Sequence, residues 1–436
     1  MKILFILQYI PYPLNSGGNQ ATYNMINAIK REHEVSILLN LNEPEQDKAI
    51  NELMQIWDDV RFFCYKVQHT KEEETPNTIS YKLFRSIYRS MERKMNRRIR
   101  KFSHTIKNET DFVRSHTTLY HELPIINSPR EFHEFVYQTS RIGFDMIQVE
   151  FYESLPLIYL LPEDCIKVYV QHEIRYIRNE NEMKLIKEQK STDILQWKMQ
   201  KDLELAALSH YNKIIALTEI DKELMLKENP HLNIYVSPAT IFHQETSKTM
   251  RGDSTNELVF IGSGDHFPNA DGMMWLCQEI LPILKEKGIN FKIYVTGKWR
   301  KEIKDTLLSI EQNLTFTGFV KDLSSFIQGK ISIIPIRIGS GMRMKLLDSV
   351  YAISPIITTS KGCEGLPFKN QEDCLIADTA TEFANHIETL IGNKELQENL
   401  STKALRKINA EYNNDELLQK RLNFYKKIQQ ELNKKR

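Results

Sequence analysis

Net charge is almost absent from this chain of 436 residues: 58 Lys plus Arg stand against 57 Asp plus Glu, leaving +1. A protein that meets nucleic acid or a membrane through its overall field is thereby excluded, and any such partner must use a local patch. Long hydrophobic runs are also missing. The longest, such as residues 331–336, fall far short of the ~20 residues that cross a bilayer, so no transmembrane segment is expected. Cysteine is scarce and scattered. Cys64, Cys165, Cys277, Cys363 and Cys374 are odd in number and never form a C-x-x-C pair, against both a disulfide framework and a zinc site; buried free thiols are expected. Glycine (16) and proline (15) are too few for low-complexity linkers, which confines expected disorder to the Lys-rich tail, residues 434–436. The apolar run at residues 3–7 is followed by Gln8 and Tyr9 and by no small-residue cleavage site, so it reads as a buried strand of a cytoplasmic chain. At about 150 residues per domain the length gives two large units or three smaller ones.

What is present is an alternation of strands and helices. Residues 2–7 form an apolar run, a Pro-Tyr-Pro-Leu-Asn-Ser-Gly-Gly loop ends it, and Ala21, Met25, Ile26 and Ile29 follow at helical spacing before a second run at residues 35–39. Apolar strands joined by a crossover helix pack as a parallel βαβ unit covered on both faces. Further strands are predicted at 146–149, 168–170 and 214–217, and a second series at 258–261, 291–295, 314–316, 331–336 and 355–358. The polar stretch 242–256 separates the series, so the fold class is α/β with two doubly wound domains, residues 1–245 and 246–436. Ligands of such sheets lie outside the carboxyl ends of the strands. One segment departs from the scheme. Residues 82–101 hold nine basic side chains against the single acid Glu92, with Leu83, Phe84, Ile87, Tyr88, Met91 and Met95 on an apolar stripe. This basic helical insertion, near 80–140, is either a solvated outer face or a surface for anionic lipid or an acidic acceptor.

The stretch from Ile331 to Asp348 is the most informative chemically. An apolar strand runs into Gly339-Ser340-Gly341 and then into helix-forming sequence with Arg343 and Lys345. Glycines let backbone approach a ligand, amides at a helix start favour an anion, and two cations add charge-assisted hydrogen bonds of ~1.5–3 kcal/mol each. A diphosphate has oxygens enough for both. The spacing is not that of a Walker loop.

The blocks Phe260-Ile-Gly-Ser263, Phe267-Pro-Asn-Ala-Asp271, Gly318-Phe-Val320, Pro335-Ile-Arg-Ile-Gly-Ser-Gly-Met-Arg343 and Gly362-Cys-Glu-Gly-Leu366 follow one another along the carboxyl half. In their order and spacing the chain resembles the family 4 glycosyltransferases of GT-B fold. In the amino half Pro11-Tyr-Pro-Leu-Asn-Ser-Gly-Gly18, Phe144-Asp-Met-Ile-Gln-Val-Glu150, Val170-Gln-His-Glu173 and Ile215-Ala-Leu-Thr-Glu-Ile-Asp221 are similar to the family. The resemblance implies two Rossmann-like domains facing a central cleft. It implies transfer, with retention and without a metal or cofactor, of a sugar from a nucleotide diphosphate held by the carboxyl half to a glycan, lipid-linked or peptide acceptor held by the amino half. Surface polysaccharide or glycoconjugate assembly at the inner face of the membrane would be the setting, with no nucleic acid partner. By the same analogy Arg343 and Lys345 compensate the departing diphosphate, and His172 lies near the reacting sugar. Gly17, Gly18, Gly262, Gly339, Ser340, Gly341, Asp348, Glu364 and Gly365 contact the donor. The family's Glu-x7-Glu pair is replaced by Ser340 and Asp348, and its Gly-Arg and Lys-Gly pair by Gly262-Ser263 and residues 266–269. A non-catalytic nucleotide-sugar-binding or scaffolding subunit is the alternative these departures keep open. Read without the resemblance, His172 is as readily a structural histidine, Glu150 and Glu173 are as readily surface acids at strand ends, Arg337 either contacts donor phosphate or pairs with an acid, Gly17 and Gly18 either meet the donor or serve only the turn, and Asp348 either reaches the ribose or pairs with Lys345 along the helix. Arg343 and Lys345, two apart, do not share a helical face, so one must lean over the turn or both belong to the loop.

Overall fold

The structure, a computed structural model, describes residues 1–14, 17–41, 46–66, 109–120, 128–240 and 256–435. The basic stretch 82–101 and all of the boundary stretch 242–256 except Asn256 lie outside these residues. Within the expected insertion, helices Glu109–His116 and Arg130–Ser140 are described.

The first sheet holds seven strands: β1 (Lys2–Leu7), β2 (Glu34–Leu41), β3 (Arg61–Lys66), β4 (Met146–Glu150), β5 (Ile166–Gln171), β6 (Lys213–Ala216) and β7 (Ile234–Val236), in the order β3-β2-β1-β4-β5-β6-β7. The second holds six: β8 (Glu257–Phe260), β9 (Lys292–Thr296), β10 (Leu314–Gly318), β11 (Ile331–Ile334), β12 (Ile356–Thr358) and β13 (Leu375–Ile376), in the order β10-β9-β8-β11-β12-β13. Every pairing of named strands is parallel. Both sheets reverse strand order once, between β1 and β4 and between β8 and β11, and these are the points at which an open parallel sheet leaves a crevice above its strand ends.

Central strands are buried along their length, as a parallel sheet covered by helices on both faces requires: β4 and β11 are buried at every residue. The sequence reading finds these and misses β3, β7 and β13. The first two are edge strands with mostly half-buried residues, whose apolar runs are only four (62–65) and three (234–236) residues long, and β13 is an edge of two residues. Strand β11 stops at Ile334, two residues before the apolar run ends, because Pro335 has no N–H to give a ladder.

The last helix, Asn414–Lys435, returns to the first sheet. Phe424, Tyr425 and Ile428 are buried there, Arg421 Nε and a terminal guanidinium nitrogen donate to Ser237 Oγ and O at 2.7 and 3.0 Å, and the Tyr425 hydroxyl donates to Gln148 Oε1 at 2.7 Å.

Candidate functional site

The site is built from four loops, one at each side of each switch point. After β1 comes the turn leading to Gly17 and Gly18 at the start of helix Gly17–Ile29; after β4 comes Glu150-Phe151. After β8 comes Gly262, and after β11 the run 335–343, which enters helix Met344–Tyr351. Helix Gly17–Ile29 approaches helix Met344–Tyr351 directly, so the two lobes meet at this level.

Glycine is needed at two places because the lobes touch there. Gly341 (φ +75°) faces the carbonyl of His172 so closely that a Cβ would overlap it, and a Cβ on Gly339 (φ +116°) would stand 2.6 Å from the Arg343 guanidinium and 3.0 Å from Glu173 Oε1. The loop between them is held by the amino-terminal lobe. Ile174 N donates to Ser340 Oγ at 2.6 Å, Gly341 N donates to Asp221 Oδ1 at 3.1 Å, and Gly339 N donates to Asn181 Oδ1 at 3.2 Å. Two amides of the Gly-Ser-Gly turn, which the sequence reading offers to an anion, thus have acceptors across the interface.

The cations behave differently from each other. Arg343 is the residue before the helix, not in its first turn; its guanidinium folds back to donate to the carbonyls of Ser340, Gly341 and Ile338, and so braces the loop. Lys345, within the first turn, points the other way. Its ammonium donates to Asn269 Oδ1 at 2.5 Å and sits 4.6 Å from the centre of the Phe260 ring, in space that exists because a Cβ at Gly262 would be 3.1 Å from Nζ. The question of a shared helical face is thus resolved by placing one cation in the loop and one on the helix. Burial, with the neighbouring Arg343 charge, pushes the Lys345 ammonium down to about 7. Burial pushes the Asp348 carboxyl up to about 7, opposed by Lys345. Arg337 pairs with Asp271, two nitrogens reaching the carboxylate at 2.8 and 3.2 Å.

Glu364 has one carboxylate oxygen on Lys361 Nζ at 2.5 Å, while the other is buried without a hydrogen-bond partner among the described residues. Gly365 (φ +80°) lies against Thr218 of the other lobe. Glu173 is no free surface acid. Although burial works to raise it, Arg178 at 2.9 Å, with His266, Arg175 and Arg343, holds it down to about 2. Glu150 is likewise not at the surface: it is 1% exposed and its Oε2 lies 2.6 Å from His172 Nε2. The sequence reading passes it over. Glu150 ends a strand buried at every residue, two residues beyond Gln148 and beside the strand leading to His172, and only that pairing distinguishes it from a surface acid. The His172 ring stacks on Phe151 at 3.9 Å, and Phe151 meets at 4.8 Å the tilted ring of Tyr9, whose hydroxyl faces the Cα of Gly18. His172, Gly17 and Gly18 are thereby connected to the same crevice as Gly339, Ser340, Gly341 and Arg343. Among the described residues no three His, Cys, Asp or Glu side chains cluster so as to hold a metal ion, and no helix is long and apolar enough to cross a membrane.

Residues 255–393 match the sequence family described as "Glycosyl transferases group 1". The match lies within the carboxyl-terminal lobe. The matched residues take in Gly262, the loop with Arg343 and Lys345, and Glu364. An "Uncharacterized 44.6 kDa protein in cps region" of Klebsiella pneumoniae is 26% identical over 151 residues; the match spans 32% of this chain and 39% of that relative's length. Across nearly the whole chain the fold is similar to that of TarM from S. aureus, solved with fondaparinux, alpha-GlcNAc-glycerol and UDP (TM-score 0.60, 12% identity, 97% of this chain and 99% of that one). It is similar also to sucrose-phosphate synthase from Thermosynechococcus elongatus (0.63, 12%, 98% of each) and to WaaG, a glycosyltransferase involved in lipopolysaccharide biosynthesis (0.60, 13%, 97% and 99%). The two lobes together form the GT-B fold.

Proposed function

We propose that the chain is a glycosyltransferase that moves a sugar, with retention of anomeric configuration, from a nucleotide-diphosphate sugar to a hydroxyl of a glycan, lipid-linked or peptide acceptor in surface polysaccharide or glycoconjugate biosynthesis. The observation that supports this most is the convergence of the carboxyl-terminal lobe's Arg343–Lys345 loop, at the switch point of its sheet, with His172, which follows β5 of the other lobe. Relatives in glycan assembly agree with it: WaaG acts in lipopolysaccharide biosynthesis, and the Klebsiella relative lies in a cps region.

The donor enters when the lobes part, so that Asp221 and Asn181 release the amides of Gly341 and Gly339 to phosphate oxygens. Lys345 gives its ammonium and the loop braced by Arg343 gives its amides to the leaving diphosphate, in place of a metal ion. Preorganised positive charge at a leaving group is the largest expected contribution to the rate. The unpartnered oxygen of Glu364 accepts a sugar hydroxyl, Asp348 accepts from the ribose, and Gly262 and Gly365 keep the walls narrow. The acceptor hydroxyl attacks from the face the diphosphate leaves, and a departing phosphate oxygen takes its proton, so no carboxylate serves as base.

A panel of nucleotide sugars, assayed for nucleoside diphosphate release and for the anomeric configuration of the product, tests this. Release with one donor and a retained anomer is the expected result. Binding without turnover would favour a scaffolding subunit, and an inverted anomer would overturn the mechanism.

A further inference from the structure

We propose that Glu150 is a positioning residue that fixes the tautomer and ring plane of His172, and that a hydrogen-bond chain from the last helix holds Glu150 in turn. The inference rests on the reading above that His172 faces the reacting sugar.

The chain has four members. The Tyr425 hydroxyl, on the helix that returns from the end of the sequence, donates to Gln148 Oε1 at 2.7 Å. That bond orients the Gln148 amide so that its nitrogen donates to Glu150 Oε1 at 2.6 Å, and Glu150 Oε2 meets His172 Nε2 at 2.6 Å. Gln148 and Tyr425 are fully buried and Glu150 nearly so, whereas the His172 side chain is 24% exposed: the relay runs from the core to a ring at the cleft. Both oxygens of Glu150 act as acceptors, one toward Gln148 and one toward the ring, and a carboxylate oxygen accepts only. Nε2 therefore holds the hydrogen, and Nδ1 is the acceptor edge of the neutral ring, available to a substrate hydroxyl.

The ring plane is fixed independently. Phe151 stacks on His172 with 7° between planes, and Phe151 adopts φ +70°, a conformation that a bulky side chain rarely takes and that surrounding structure must impose. A histidine that served only to fill the core would need neither constraint. This one also borders a pocket shared with Thr22, Met25, Glu150, Thr240 and Arg421, between the first helix, the strand ends and the last helix.

The test reads the ring directly. In protein labelled with 15N in its histidine side chains, with His172 assigned by comparison with H172Q, the neutral ring of the wild type at pH 8 is expected as the Nε2–H tautomer. In E150Q a single amide oxygen cannot accept from both Gln148 and His172, so the population is expected to move toward Nδ1–H. On a donor found by the panel above, kcat is expected to fall at least about tenfold with the donor KM within about twofold. E150D, which keeps two acceptor oxygens, should recover part of that loss, and Y425F should shift the tautomer in the direction of E150Q by a smaller amount. A wild-type ring that is mainly Nδ1–H overturns the proposal whether or not any variant folds. So does an E150Q protein with wild-type tautomer and kcat. Absence of turnover with every donor would instead overturn the transferase reading, and the wild-type spectrum would still decide the role of Glu150.

Discussion

At the scale of single residues, Lys345 has the clearest consequence. Its ammonium is pushed down to about 7 by burial and by Arg343, so above neutral pH the free protein holds it increasingly as the amine. A bound diphosphate favours the ammonium. Donor binding should therefore take up a proton, approaching one per molecule near pH 8.5, and affinity should fall as pH rises from 7 to 9. Calorimetry of nucleoside diphosphate binding in two buffers of different ionisation enthalpy measures this; K345R should abolish the uptake. Lys345 stands out in the sequence by its place just past a Gly-Ser-Gly turn, within blocks that resemble the family. Glu150 does not, since an acid at a strand end looks the same whether solvent or a histidine awaits it, and only the pairing of β4 with β5 decides between them.

At the scale of elements, the segment that presents His172 depends on a cap supplied from elsewhere. Helix Arg175–Lys184 begins with a hydrophobic Ile174 that offers no side-chain acceptor, and Glu204 from helix Ser191–Ser209 accepts the N–H groups of Arg175 and Tyr176 at 3.1 and 2.9 Å, with Gln171 Nε2 at 2.9 Å. Glu204→Ala leaves these donors without an acceptor and should cost about 2–4 kcal/mol in urea unfolding, at 1–3 kcal/mol for each buried unsatisfied group with partial relaxation. Burial raises the Glu204 carboxyl to about 7 against those three donors. The sign follows: the folded state keeps this proton between the ordinary carboxylate value and 7, so the contribution is full in acid and is lost as pH rises through that window. Stability of the wild type should decline from pH 5 to 7.5, with a flatter decline in E204Q. None of this is legible locally, because the capping acid lies about thirty residues from the amides it serves.

At the scale of the whole molecule, two sheets were readable from central strands such as β4 and β11, which are apolar but for Gln148, Glu150 and Ser332 and are buried throughout. How the lobes meet was not. The hydroxyl of Ser340 and the amides of Gly339 and Gly341 were assigned to a donor from their loop chemistry, yet across the interface they engage Ile174, Asn181 and Asp221. The last helix ties the ends of the chain together in the same way. Truncation after residue 413 would uncover the sites of Leu417, Phe424 and Ile428, at about 1.5–3 kcal/mol each, and should destabilise the amino-terminal lobe by roughly 5 kcal/mol in a denaturant titration. The account as a whole claims that the crevice between the lobes seats a diphosphate on Lys345 and the loop that Arg343 braces. Titration of nucleoside diphosphates into the wild type and K345M tests that claim most directly: at least one should bind the wild type and lose at least about tenfold in K345M, with the melting temperature unchanged. Binding of equal strength to both proteins, or of none to the wild type, would contradict it.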